Sequence, residues 1–367
     1  MRIVFIGQKG IPATYGGVEK HVEDLATRLV NDGHEVLAYT RKNYTSDKMT
    51  SYKGVQLISL PSIATKHLDA ISHTFLACLD VIFRRKADVV HFHSIGPSLL
   101  VWMVKIFKPR TRVVATFHSQ CYNHQKWGAF ARFFLHLGER MICTIPDKTI
   151  TVSKSLTDYV ADKYGKKTIY IPNGVEIPTP KEADEIKKWG LEKGNYIVTV
   201  SRLVRHKGIQ YLIEAYKSVD TKKKLVIVGD GAFTDDYVQE LKDLADNNPN
   251  IIFTGNQSGD VLRELFSNAF LFVQPSESEG LSIALLEAMS YGLPVLVSDI
   301  LENVEIVDGI GFVFANKNVA DLSLKLREIL LVDNTVLQES TTKLKDVADK
   351  NYNWNNIVKE IETLYKA

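Results

Sequence analysis

The first forty residues decide most of what this chain can become. Residues 2–7 are an apolar strand pattern, and residues 8–18 form a loop holding Pro12 and the pair Gly16-Gly17. Residues 19–31 then place Val22, Leu25, Ala26 and Leu29 at helical spacing before Gly33 ends the run. Residues 35–40 read as a second strand. A strand, glycine loop, helix and strand in that order is a βαβ unit. It implies a parallel sheet, because the crossover helix returns the chain to the same edge and covers one face.

The alternation continues through Val55–Leu60, residues 88–93, Arg112–Phe117 and residues 148–152, with helical stretches between them. A linker pattern follows, from Pro172-Asn173-Gly174-Val175 to Pro180, and then a second set begins. Its strands fall at 196–200, 224–229, 250–254, 269–273, 294–298 and 311–314, and its helices include 209–217, 235–246 and 260–268. At 367 residues the chain exceeds one typical core. The expected architecture is α/β: two Rossmann-like parallel-sheet domains, residues 1–172 and 173–350, facing across a cleft that is the natural ligand site.

A dinucleotide cofactor is the first rival for such a fold. The opening loop, Gly7-Gln8-Lys9-Gly10, is not GxGxxG, and the second strand ends in Tyr39-Thr40-Arg41 without an acid for a ribose. Arg41 leaves only a 2′-phosphate contact open.

The net charge of +2 hides an asymmetry, since residues 1–172 carry 24 Lys and Arg against 13 Asp and Glu while the remainder carries 21 against 30. A basic first half suits an anionic partner. Nucleic acid is not expected, because no basic run interleaves with aromatics. An anionic membrane surface is the other candidate. The stretch 67–83, ending in Arg84-Arg85-Lys86, and the aromatic stretch 130–142 with Arg132 and Arg140 could lie on a bilayer or simply cover the sheet. Cys78, Cys121 and Cys143 are odd in number and lack CxxC spacing, which suits a reduced compartment. The N-terminal apolar run is too short for a signal peptide and none reaches 18 residues. The expectation is therefore a cytoplasmic protein, peripheral on the inner face of the membrane if bound there.

The densest chemistry lies between Gln274 and Met289. Pro275 ends a strand, Gly280 permits a turn, and Ser282 can cap a helix. Glu279 then precedes that helix, and Glu287 lies about five residues inside it, roughly 7–8 Å along the axis. The free amides of the first turn favour an anion, so a diphosphate on the amides with hydroxyls on the carboxylates suits this geometry. A second basic segment, Ser201-Arg202-Leu203-Val204-Arg205-His206-Lys207-Gly208, follows a strand at its carboxyl end. Arg202 and Lys207 there would stabilise a diphosphate leaving group. His91 and His93, spaced i and i+2, are read as lying on alternate strand faces and hence not as a metal pair.

Taken with Val228-Gly229-Asp230-Gly231, Phe253-Thr254-Gly255, Leu286-Glu287-Ala288-Met289 and Gly292-Leu293-Pro294-Val295, these segments resemble the retaining glycosyltransferases of family 4, which share the GT-B architecture. The resemblance implies transfer of a sugar from a nucleotide sugar to a glycan or lipid-linked acceptor. Arg202 and Lys207 would hold the diphosphate and Glu287 the ribose. Glu279 would meet the sugar hydroxyls near the amides of Gly280, Leu281 and Ser282. Gly16 and Gly17 would approach the phosphates from the first domain, and His118 would stand beside the sugar. The catalytic set is thus Arg202, Lys207, Glu279 and His118. No cofactor and no metal are expected: Asp-x-Asp is absent, and Arg202 with Lys207 can supply the charge a metal would.

Many relatives carry a second glycine and an aromatic after Glu279, where this chain has Gly280-Leu281-Ser282-Ile283, so side-chain contacts to the sugar differ. The segment from Gly10 to Glu19 is similar to a bacterial subgroup that builds cell-surface polysaccharides. The family likeness also implies that a closing helix, about residues 351–367, packs back onto the first domain with Trp354 as its pin. A sugar-nucleotide epimerase of the same architecture and a non-catalytic carbohydrate-binding relative are the alternatives.

Overall fold

The computed structural model describes residues 1–65, 68–120, 128–231 and 234–367. Readings that fall on His67, Cys121 or the Phe130 side chain lie outside the described residues. The chain divides into two compact units, residues 1–173 with 354–367 and residues 174–353. The sequence reading drew these divisions at 172 and 350.

Unit 1 opens with β1 (Arg2–Ile6), α1 (Gly17–Asn31) and β2 (Glu35–Arg41), the βαβ order of the sequence. β3 (Ser51–Tyr52), β4 (Val55–Leu60), α2 (Asp69–Arg84), β5 (Val89–His93), α3 (Ile95–Ser98) and α4 (Val101–Phe107) follow. β6 (Arg112–Phe117), α5 (Ala129–Thr144), β7 (Lys148–Thr151), α6 (Lys154–Tyr164) and β8 (Ile169–Tyr170) complete an eight-stranded sheet of order β3-β4-β2-β1-β5-β6-β7-β8. Every pairing is parallel except the short β3 against β4. Strands such as Ile3-Val4-Phe5-Ile6 are apolar at every position because helices cover both of their faces.

Unit 2 contains β9 (Tyr196–Val200), α7 (Ile209–Lys217), β10 (Lys224–Val228), α8 (Asp235–Ala245), β11 (Ile251–Gly255) and α9 (Gly259–Ser267). It continues with β12 (Leu271–Gln274), α10 (Ile283–Ser290), β13 (Val295–Ser298), α11 (Leu301–Val307), β14 (Phe312–Phe314), α12 (Val319–Leu331) and α13 (Asn334–Tyr352). Its six strands are all parallel, in the order β11-β10-β9-β12-β13-β14. The sheet order turns back between β9 and β12, so the loops that leave these neighbouring strands open side by side. That is where open α/β sheets bind ligands.

The closing helix begins later than the sequence suggested. α13 runs to Tyr352, whose carbonyl accepts a bond from the Val175 amide at 2.7 Å, and Asn353 is extended. α14 (Trp354–Lys366) then rejoins unit 1. Its Trp354, Ile357, Val358, Ile361, Leu364 and Tyr365 fall on one helical face and are buried with Val22, Leu25 and Leu29 of α1. Trp354 is 2% exposed, with Arg28 stacked 5.0 Å from its ring centre.

Candidate active site

Two loops of unit 2 are locked together at the ends of β9 and β12. After β9 the chain makes a single 3-10 turn, Arg205–Lys207, that stops at Gly208 with φ of 70°. A Cβ at Gly208 would sit 1.9 Å from the carbonyl oxygen of Pro275, so only glycine admits this approach. The Glu277 amide donates to the carbonyl of His206 at 2.8 Å, joining the two loops again.

This approach sets Lys207 Nζ 2.5 Å from Glu279 Oε1. Ser276 Oγ donates to the same oxygen at 2.6 Å. The two side chains are only 15% and 9% exposed, so water screens the pair weakly. Lys207 spends one proton on Glu279 and keeps two for an incoming anion. Arg202 is half-buried, and its guanidinium has no ion pair among the described residues.

A buried polar ladder holds the loop in shape. Ser282 caps α10 as expected, its Oγ accepting from the Leu285 amide at 3.3 Å while donating to Gln274 Oε1 at 2.6 Å. Gln274 Nε2 reaches Asn303 Oδ1 at 2.6 Å, and Asn303 Nδ2 reaches Ser298 Oγ at 3.0 Å. Ser298 Oγ then donates to the carbonyl of Ser276 at 2.5 Å. Gln274, Ser298 and Asn303 went unrecognised in the sequence because they carry no chemistry of their own. They position Ser276, Glu279 and Ser282. Glu277 is held by Tyr211 Oη at 2.8 Å and Lys317 Nζ at 3.0 Å.

Past Gly280 and Leu281, α10 starts at Ile283 and places Glu287 in its fifth position, half-buried. Burial pushes the neighbouring Tyr291 hydroxyl up to about 12, with the negative charge of Glu287 adding to the shift. The assembly therefore offers a cation, a paired carboxylate and a capped helix start. It can hold an anion beside a hydroxyl-bearing group.

In unit 1, Gly16 stands just ahead of α1 with φ of 102°, and a Cβ there would lie 2.0 Å from Glu19 Oε2. Glu19 Oε1 accepts from the Lys9 amide at 3.1 Å and Glu23 Oε2 from the Ala13 amide at 2.6 Å, so acids of α1 shape the glycine loop. Gly17 is the exposed first residue of the helix.

His118 follows β6 and is nearly buried, its Nε2 lying 3.0 Å from His93 Nδ1. His21 of α1 closes on both, its ring centre 5.0 Å from that of His118. Burial drives His91, His93 and His118 well below the usual imidazole range. Burial also pulls His21 down to about 4, with Asn173 opposing the shift. Among these, His21 was missed in the sequence, where its only signal was a place on the buried face of α1.

The reading of His91 and His93 is corrected here. Strand side chains alternate with period two, so residues i and i+2 share a face, and the two ring centres lie 4.2 Å apart. His91 is fully satisfied, Nδ1 by Tyr365 Oη at 2.6 Å and Nε2 by Thr116 Oγ1 at 2.7 Å. Cys78 and Cys143 are free, buried thiols that burial pushes up to about 12.

Comparison with known proteins adds to this geometry. Residues 181–363 match the family model described as glycosyl transferases group 1, and residues 15–177 match that of glycosyltransferase family 4. An uncharacterized glycosyltransferase of Methanocaldococcus jannaschii is 28% identical over all of this chain and 98% of its own length. The alpha-monoglucosyldiacylglycerol synthase of Streptococcus pneumoniae is 27% identical over 76% of this chain and 67% of its own. In fold, the chain is similar to Anabaena HepE solved with UDP-glucose, at a TM-score of 0.83 and 18% identity over the full length of both chains.

Proposed function

Since the chain belongs to the family 4 glycosyltransferases of GT-B architecture, we propose that it moves a sugar, with retention of configuration and without a metal, from a nucleotide diphosphate donor to a hydroxyl of a glycan or lipid-linked acceptor in cell-surface polysaccharide synthesis. The observation that carries this reading is the Lys207–Glu279 pair at the start of the helix bearing Glu287. Arg202 and Lys207 take up the charge that grows on the diphosphate as the glycosidic bond lengthens. The amides of Gly280, Leu281 and Ser282 add dipoles aimed at the same place. Glu279 meets the sugar hydroxyls and Glu287 the ribose. No protein carboxylate acts as the base; the leaving phosphate accepts the acceptor's proton on the face it departs from. Gly16, Gly17 and His118 are the unit 1 residues to which the family likeness gives roles toward the phosphates and the sugar. A neutral His118 can accept a hydroxyl proton in a hydrogen bond, which a charged one cannot.

Anabaena HepE, of the same fold, is solved with UDP-glucose, which supports a uridine or related donor. A screen of nucleotide sugars by thermal stabilisation, followed by proton NMR of the product anomer with and without EDTA, tests donor, stereochemistry and metal dependence together. An inverted anomer or full loss of transfer in EDTA refutes the corresponding part.

The lipid-linked acceptor has its own support. No helix among the described residues is long and apolar enough to cross a membrane. Yet α2, α4 and α5 expose Phe75, Phe83, Ile106, Phe107, Phe133 and Phe134. Arg84, Lys86, Arg110 and Arg132 lie among them in sequence on a strongly basic half. Exposed apolar side chains interspersed with cations suit an anionic bilayer. Co-sedimentation with vesicles containing anionic lipid, lost in Phe83→Ser/Phe107→Ser and absent with neutral lipid, tests the contact. Equal recovery on both lipids refutes it.

A further inference from the structure

Three imidazoles of unit 1 converge with no carboxylate among them. His21 comes from α1, His93 from the end of β5 and His118 from just beyond β6, and one ring nitrogen of each lies within 4.8 Å of the others. They are 2%, 0% and 7% exposed. Nε2 of His93 has no hydrogen-bond partner, and neither ring nitrogen of His21 makes a well-aligned bond although Asn173 interacts with the ring, whereas His91 alongside is satisfied at both nitrogens. Buried polar atoms left unpaired in this way call for an explanation, and an ion is one of the few that fits imidazoles alone.

We propose that His21, His93 and His118 form a binding site for a divalent transition ion of the Zn2+ or Co2+ kind. Three imidazoles without an oxygen ligand suit such ions and not Mg2+ or Ca2+. The scaffold is rigid, because β5 and β6 are paired in register from Val89 with Arg112 to His93 with Thr116. Gly7 presses against the His93 backbone, where a Cβ would meet the carbonyl oxygen at 2.3 Å. An ion bound at about 2.0–2.1 Å from each nitrogen needs the donors to close to about 3.4 Å from one another, from separations of up to 4.8 Å. Its entry breaks the 3.0 Å contact between His93 Nδ1 and His118 Nε2. Phe5, 5.5 Å from His93, and Trp354, 5.4 Å from His21, wall the site with apolar rings. One coordination position is left for water. The effect on catalysis rests on the reading of His118 as the group beside the sugar: an ion there withdraws that imidazole, so Zn2+ inhibits transfer.

Equilibrium dialysis of the full, metal-stripped chain against Co2+, read by visible absorption, is expected to show one ion per chain with the intense bands of four-coordinate Co2+. His21→Gln and His93→Gln should each bind at least tenfold more weakly, and His136→Asn, on the exposed side of α5, should bind as the wild type does. Histidine-labelled 15N NMR of the wild type reads the site without any variant: at one equivalent of Zn2+, three of the ten imidazoles shift together. No uptake by the wild type, uptake unchanged in both glutamine variants, or shifts confined to other histidines overturns the proposal. One bound ion at these three rings with transfer unimpaired upholds the site and overturns the role given to His118.

Discussion

In unit 2 the loops leaving β9 and β12 bring a lysine and a glutamate to 2.5 Å, whereas in unit 1 the ends of β5 and β6 gather His91, His93 and His118 with His21 of α1. Both places sit at the carboxyl ends of parallel strands, and both are withdrawn from water. The difference is how each tolerates burial. The Lys207–Glu279 pair offsets its burial because each partner lies against the other's opposite charge and Ser276 adds a bond. Burial disfavours the charged imidazolium, so these rings stay neutral and titrate well below the usual imidazole range. One region is built to meet charge, the other to present uncharged donors and acceptors.

Four outcomes would break or sharpen that contrast. The largest should come from α14, the helix that seals unit 1 from behind: Trp354→Ala removes a buried ring against His21 and Arg28 and should cost about 3–5 kcal/mol in urea unfolding. A loss confined to unit 1, mapped by hydrogen exchange, is the expected pattern. Next, Lys207→Ala should lower kcat by about 10²–10³, the usual worth of one donor to developing anionic charge. A normal kcat in that variant would show that the ion pair of unit 2 merely fastens its two loops.

The third outcome concerns pH. His21 titrates near 6.5 when unfolded and about 4 when folded, so below pH 6.5 the unfolded chain takes up a proton that the folded one refuses. Stability present above pH 6.5 is lost as pH falls toward 4, at up to about 1.4 kcal/mol per pH unit for this one group. Pulse proteolysis should show unit 1 weakening first in that window, since unit 2 holds a single histidine, the half-buried His206. Equal weakening of both units would remove the electrostatic contrast. The smallest effect belongs to Ser282→Ala, which deletes the cap of α10 and a rung of the polar ladder. A loss of about 1 kcal/mol, with the donor Kd raised more than the acceptor KM, would mark Ser282 as positioning Glu279.

Much of this was legible before any coordinates. The alternation of apolar runs with helical spacing required two parallel sheets, and the segment from Pro275 to Glu287 carries its own strand stop, turn glycine and cap. Such local signals survive in the sequence because each acts within a few residues of its neighbour. The break between α13 and α14 was not legible, since Asn353 is extended and bridges to Val175, a residue far away in the sequence. His91 and His93 do not lie on alternate faces, because residues i and i+2 of a strand share one.

What the amino-acid order determined by itself is the run of elements and the placing of Glu279, Ser282 and Glu287 about one helix start, because hydrophobic period and capping chemistry are short-range. What only the tertiary structure decided is which distant side chains meet. Lys207 reaches Glu279 because Gly208 lets two loops touch, Gln274 reaches Asn303 across two strands, and His21 reaches His93 and His118 across a helix and a sheet. Those meetings depend on sheet order and on close backbone approach, which no spacing along the chain encodes.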